Sequence, residues 1–254
     1  MRLSVLGCSG GELPGHRTTC FLVDGVLAVD AGALTASLPL AELLRVDDIL
    51  LTHSHFDHVK DIPLLDDLVA GRRRTPIRVH ASRACARTLR ENVFNGALWP
   101  DFTRIPDRRR PILEIRPFGV RRPFRVGRYT VQAVPVSHPV ESMGFIVSNA
   151  RSAFAISGDT GPTDRFWRAV NAAPRLRALL VELSFPTDRQ WLADVSGHLT
   201  PRTLAGELAK VARTDLPVLL YHLKPAYQAE LLAELAALRL PGVRALERGD
   251  ELAL

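Results

Sequence analysis

Three imidazoles and a carboxylate fall within six residues of one stretch, Thr52-His53-Ser54-His55-Phe56-Asp57-His58. Neutral imidazole nitrogen and carboxylate oxygen are the donors that zinc or manganese accepts. The apolar run Ile49-Leu50-Leu51 before the cluster reads as a buried strand. After it, Ile62, Leu65, Leu68 and Val69 recur at helical spacing, with Pro63 tolerated in a first turn. The cluster therefore belongs on a strand-to-helix turn, where a rigid scaffold can aim several side chains at one point. In an extended segment residues two apart share a side, so His53 and His55 can grip one ion together. Asp57 and His58 come where the chain turns into the helix, so they can face elsewhere and begin a second site. The plain alternative is a polar loop with surface histidines. An H-x-H-x-D-H pattern arising by chance at a strand end argues against it.

The composition is that of an ordinary globular chain. The 254 residues suffice for one large domain with a sizeable core, at 46% hydrophobic and 24% charged residues. A net charge of +6 suits an anionic ligand but also any arginine-rich proteome. Three cysteines, Cys8, Cys20 and Cys85, make no disulfide framework, which points to a reducing compartment. The segment Met1 to Gly7 is strand-like rather than a signal peptide, and no apolar run approaches a membrane span. A cytoplasmic protein without a membrane partner is the expectation.

Elements that could position a site alternate along the chain. Strands are expected at Leu3–Leu6, Thr18–Val23, Val26–Val29, Ile77–His80, Tyr129–Val134, Phe145–Val147, Ala153–Ile156, Ala178–Val181, Val218–Tyr221 and Val243–Leu246. Asp24-Gly25 is a good turn pair for the first hairpin. Helices are expected at Ala36–Arg45, Ser82–Val93, Thr163–Ala173, Pro201–Arg213 and Ala226–Leu238, the fourth with Thr200 as N-cap and Pro201 at its first position. Cys8-Ser9-Gly10-Gly11 lacks the lysine of a phosphate loop and suits a tight turn at a site rim. Arg72-Arg73-Arg74 suits a solvated turn, and Phe94–Pro111 is irregular, either a substrate-covering loop or a long surface connection. No repeat or linker divides the chain, so residues 1–254 are expected to form one domain, with two sheets packed face to face and helices outside.

Polar residues recur directly after apolar strands: the H-x-H-x-D-H stretch, His138, Asp159 and His222, with His198 just before a helix. Several such events suggest one site at a common sheet edge. Asp30 ends a strand as well, and serves either as a turn cap or as a carboxylate that orients a histidine ligand.

The H-x-H-x-D-H stretch resembles the signature of the metallo-β-lactamase superfamily. That resemblance implies an α/β fold, an αββα sandwich of two mixed β-sheets flanked by helices. It also implies the ligand set: His53, His55 and His138 on a first metal, Asp57, His58 and His222 on a second, and Asp159 bridging. Aspartate rather than cysteine at the bridging position speaks against the β-lactam-hydrolysing branch with a Cys ligand there. Two divalent ions are implied, zinc first, with manganese or iron as alternatives. Ions roughly 3.5–4 Å apart lower the pKa of a shared water toward 7, and the resulting bridging hydroxide attacks phosphorus in line. Asp57 can accept a hydrogen bond from that hydroxide and aim it.

Val181-Glu182-Leu183-Ser184-Phe185-Pro186, Ser196-Gly197-His198-Leu199-Thr200-Pro201 and His222-Leu223-Lys224-Pro225 look like the class II 3′,5′-cyclic-nucleotide phosphodiesterases. The resemblance runs from Met1 to Pro225, with no match in Phe94–Val126. It implies a small anionic phosphodiester substrate. His198 becomes the candidate proton or hydrogen-bond donor, against a plain place beside the helix cap. Lys224 either holds phosphate charge or is solvated, and Glu182 stands behind the metal ligands. His16 and His80 match nothing. The rival family is ribonuclease Z, whose H-E-A-T histidine aligns with Val181 here. Its tRNA-gripping arm has no room in the 21 residues from His138 to Asp159 (159 − 138). A nucleic-acid partner is therefore not expected. A third reading is a nucleotide sensor that kept the fold without catalysis. Dimers are common in the superfamily, so a homodimer is an allowed assembly.

Overall fold

The computed structural model describes all residues, Met1 to Leu254. Its first sheet runs β14 (Glu251–Ala253), β1 (Arg2–Gly7), β2 (Cys20–Val23), β3 (Leu27–Val29), β4 (Asp48–Leu50), β5 (Ile77–Ala81), β6 (Leu113–Pro117). The second runs β13 (Val243–Ala245), β12 (Val218–Tyr221), β11 (Leu176–Glu182), β10 (Ala153–Ile156), β9 (Met143–Ser148), β8 (Tyr129–Pro135), β7 (Phe124–Val126). Each sheet is mixed. β3 to β6 are parallel in one and β10 to β13 in the other. The rest pair antiparallel. Parallel strands send their carboxyl ends to one edge, where the loops that follow them meet.

Alternation along the strands builds three apolar layers. Inward residues of both sheets, among them Val29, Leu50, Phe145 and Leu180, form the central layer. There Phe21 and Tyr221 meet edge to face, 5.3 Å apart, across the sandwich. Outward residues of the first sheet, such as Ile49 and Val79, pack with Ile62, Leu65 and Val69 of the helix Asp61–Val69. Those of the second sheet pack with Phe166 and Trp167 of the helix Arg165–Ala172. β4 is only three residues long, too short to hold itself. Ile49 and Leu50 are fully buried on opposite faces, and truncating either to Ala costs about 2–5 kcal/mol.

Several expectations are corrected. The helix expected at Ala36–Arg45 is two one-turn helices, Leu34–Ser37 and Leu40–Leu43, separated at Pro39, whose preceding residue Leu38 is extended. The helix from Pro201 ends at Leu208, not Arg213. Arg73 is not a solvated turn residue: it donates to the Leu44 carbonyl and to Asp47, 2.7 Å away. On the helix after the metal motif, Asp66 is fully buried while Leu68 is 42% exposed. β6, β7, β14 and the helix Gln190–Ser196 were not foreseen.

Candidate metal centre

The motif turn is fixed from behind by one carboxylate. Asp30, at a left-handed φ of 58°, accepts from the Thr52 backbone N–H at 2.8 Å, from the Thr52 hydroxyl, and from His58 Nδ1 at 2.8 Å. It is thus both a turn cap and the orienter of a histidine, so both expected roles hold. Met143 N–H donates to the Thr52 carbonyl at 3.0 Å and ties the turn to the second sheet. The turn passes so close to Gly32 that a Cβ there would sit 2.1 Å from the Asp57 carbonyl. Gly10 is likewise pressed against His222, where a Cβ would be 2.5 Å from its carbonyl and 2.8 Å from Nδ1. The glycine loop is therefore a site rim, as its sequence suggested. His222 itself has φ 68°, a strained backbone of the kind retained at functional sites.

All seven expected ligand residues converge. Nitrogen and oxygen atoms of His53, His55 and His138 lie within 4.8 Å of one another, as do those of Asp57, His58 and His222, and those of His53, His58 and Asp159. Asp159 Oδ2 lies 3.2 Å from His58 Nε2, 3.1 Å from His222 Nε2 and 3.8 Å from His53 Nε2. Asp159 therefore stands between the two histidine groups.

The outer hydrogen bonds set which ring nitrogen faces inward. His58 Nδ1 donates to Asp30 and His138 Nδ1 to the Gly197 carbonyl at 2.9 Å. The hydroxyl protons of Thr52 and Ser184 go to Asp30 and Glu182, so these oxygens accept from His53 Nδ1 at 3.0 Å and His222 Nδ1 at 2.9 Å. In all four rings the proton sits outside and the Nε2 lone pair points in. Lone pairs then face each other: His58 Nε2 is 3.4 Å from His222 Nε2. His53 Nε2 and Asp159 Oδ1 are buried with no hydrogen-bond partner at all. Orphaned inward donors of this kind cost free energy unless a cation sits among them. The residues fit divalent ions.

A family model described as a Beta-lactamase superfamily domain matches residues 19–222. The chain belongs to that superfamily. Its fold implies divalent-metal binding, which the donor groups here suit. Among curated relatives, a probable 3′,5′-cyclic-nucleotide phosphodiesterase of Yersinia pestis is 28% identical, covering 87% of this chain and 69% of that one. Among solved structures, unliganded yeast PDE1 superposes with TM-score 0.80 at 21% identity, covering 100% of this chain and 99% of that one. The short form of human tRNase Z gives 0.69 at 18%, with the same coverages. These two structures share the superfamily's fold.

Electrostatics follow from the crowding. Burial alone would raise the Asp159 carboxyl, but the imidazoles of His222 and His58 hold it well below the usual range. Burial pushes His53, His55 and His138 down, favouring the neutral form a metal needs. His58 goes the other way: burial lowers it, but the carboxylates of Asp159 and Asp30 raise it well above the ordinary value, so a cation would have to displace a proton from its Nε2 before the lone pair could bind.

Beside the ligands lies a second polar knot. Glu182, fully buried on β11, accepts from His198 Nδ1 at 3.0 Å, from Ser184 Oγ at 2.8 Å and from the N–H groups of Thr160 and Leu199. It stands behind His198 directly and behind His222 through Ser184. Despite burial, Glu182 raises the pKa of His198, whose ring stacks on His222 at 5.3 Å. Thr200 is a plain N-cap, its hydroxyl accepting from Thr203 N–H. Lys224 is not a solvated lysine: it donates to the Gly10 carbonyl at 2.9 Å and lies 5.7 Å over the Phe185 ring. Ser184 is the residue that sequence reasoning missed. It sat in the quoted E-x-S-F-P segment, but nothing in the spacing told that it bridges Glu182 to His222. His80 is no free histidine either; its Nε2 donates to buried Asp48 at 2.8 Å.

Proposed function

We propose that this chain is a metal-dependent phosphodiesterase that opens 3′,5′-cyclic nucleotides, cyclic AMP or cyclic GMP, to 5′-monophosphates. The observation that carries the reading is the meeting of three distant segments at the ligands. Glu182-Leu183-Ser184-Phe185-Pro186, Gly197-His198-Leu199-Thr200-Pro201 and His222-Leu223-Lys224-Pro225 join through hydrogen bonds of Glu182 and Ser184 to His198 and His222. The Yersinia relative's name supports the same substrate class. The interval from His138 to Asp159 is filled by β9 and β10 and supports a small substrate over an arm-gripped tRNA.

In this reading His53, His55 and His138 would hold one cation and Asp57, His58 and His222 a second, with Asp159 available to both. When bound, the two ions, zinc or else manganese or iron, supply Lewis acidity that activates water and neutralises phosphoryl charge. The protein's own residues do the rest. Asp57, part-exposed beside His222, positions the attacking water through its free oxygen. His198, whose pKa Glu182 raises, gives a proton to the departing 3′-oxygen. Lys224 fixes the Gly10 rim and adds positive charge near the phosphate. The whole chain acts as one domain, in the cytoplasm, as a monomer or homodimer.

The test is product analysis. Metal-loaded protein is incubated in parallel with cyclic AMP, cyclic GMP and a precursor tRNA. Release of 5′-monophosphate far faster than tRNA cleavage is expected. Faster tRNA cleavage reverses the ranking, and no turnover of any of the three supports a binding role.

A further inference from the structure

The net charge of +6 conceals a strong segregation. Residues 70–128 carry sixteen arginines, no lysine and four carboxylates, a net +12, so the remaining residues carry −6. Five of these arginines have a carboxylate partner: Arg73, Arg78, Arg104, Arg116 and Arg128. The other eleven have none.

The arginines surround β6, the edge strand of the first sheet. At its carboxyl end a groove of about 710 Å³ is lined by Arg116, Arg121, Arg122 and Arg125, with the stacked rings of Phe118 and Phe124 as its floor. At its amino end a second groove, about 720 Å³, is lined by Arg73, Arg74 and Arg110. Alongside, Arg90 and Arg104 border a third of about 490 Å³, Arg90 donating to the Ile115 carbonyl of β6 itself. A five-residue strand is about 16 Å long, so the grooves are too far apart for one mononucleotide to reach both ends.

We propose that this face binds a single strand of nucleic acid through its phosphates, a partner separate from the substrate of the metal centre. Guanidinium forks match phosphate oxygens, and charges without partners are free to take them. A repeating phosphate chain fits clusters spaced along an edge. An acidic protein fits less well, because a protein interface needs one apolar centre, whereas here the Phe118–Phe124 pair lies at one end of β6 and only Val69, Ile112 and two prolines line the groove at the other; rings lining a basic groove suit stacked bases instead. The missing arm between His138 and Asp159, which set a nucleic-acid partner aside in the sequence, has no bearing on this face.

The experiment is fluorescence anisotropy of a labelled oligonucleotide of about twelve nucleotides, with the full chain in EDTA. Saturable binding in the micromolar range is expected at 50 mM salt, weakening about tenfold or more at 200 mM. The triple variant Arg121→Ser/Arg122→Ser/Arg125→Ser and the double variant Arg74→Ser/Arg110→Ser should each weaken it several-fold or more and lower the slope against log salt by about 2 and about 1 respectively. Both should keep wild-type turnover of a small phosphodiester, which reports their folding. The proposal fails if there is no binding at low salt, if EDTA abolishes it, or if the variants bind as wild type. Competition by poly-glutamate or by ATP as effective as by unlabelled strand also overturns it.

Discussion

Two carboxylates, both fully buried, live in opposite surroundings. Asp159 lies early in the loop after β10, amid the imidazoles of His53, His58 and His222. Asp66 lies on the helix Asp61–Val69, and neither of its oxygens has any partner. The imidazoles keep Asp159 ionised, whereas burial alone drives the Asp66 carboxyl well above its usual range. The contrast teaches how this fold treats buried polarity. At the strand ends it is concentrated, oriented and arranged as a donor set that suits a cation. Under the motif helix it is an isolated cost with no chemistry attached.

The sharpest way to break the contrast is to neutralise the site member. Asp159→Asn should lower turnover about a thousandfold or more and reduce bound metal, because several kcal/mol of charge stabilisation depend on it. Steady-state kinetics with elemental analysis checks this. Unchanged metal content would show that Asp159 is as inert as Asp66. Next in size, His198→Ala should cut kcat about 10²- to 10⁴-fold while metal content stays at the wild-type level. A parallel loss of metal would place His198 among the ligands instead. Smaller still, Asp30→Asn should weaken metal binding about 10- to 100-fold in a chelator competition, because His58 loses the group that fixes its tautomer. Equal affinity in that competition would reduce Asp30 to a turn cap for Thr52.

The smallest effect belongs to the other carboxylate. Native Asp66 keeps its proton after the unfolded chain has released it near pH 4. The folded state therefore loses stability as pH rises from about 4 toward the raised folded value. Asp66→Asn removes that loss. Its melting temperature should match wild type near pH 4 and exceed it by a few degrees near pH 8. Thermal melts across pH decide, and a gap that shrinks toward high pH would contradict the assignment.

How much of this was legible in the sequence depended on range. The convergence of the candidate ligand residues was legible because the segments that carry them follow apolar runs, and a run of buried strand residues fixes where the next polar side chain emerges. The two sheets followed from the same runs. β6 and β7 were not legible: Leu-Glu-Ile-Arg-Pro and Phe-Arg-Val are short, charged and set beside prolines, and only pairing with β5 and β8 makes them strands. Asp66 stands four residues after Ile62, on the buried stripe itself, yet Leu68 looked the better core residue by hydrophobicity. The packing of the helices Leu34–Ser37 and Leu40–Leu43 against this helix is tertiary information. Asp30 stayed open between two roles because its partner His58 lies 28 residues away.

The central claim is that the inward lone pairs at the strand ends enclose two neighbouring cations. Elemental analysis of protein purified with ample zinc or manganese, then freed of loosely bound ions, tests it most directly. Two ions per chain are expected in the wild type. A preparation that is folded by circular dichroism and binds less than one would contradict the account.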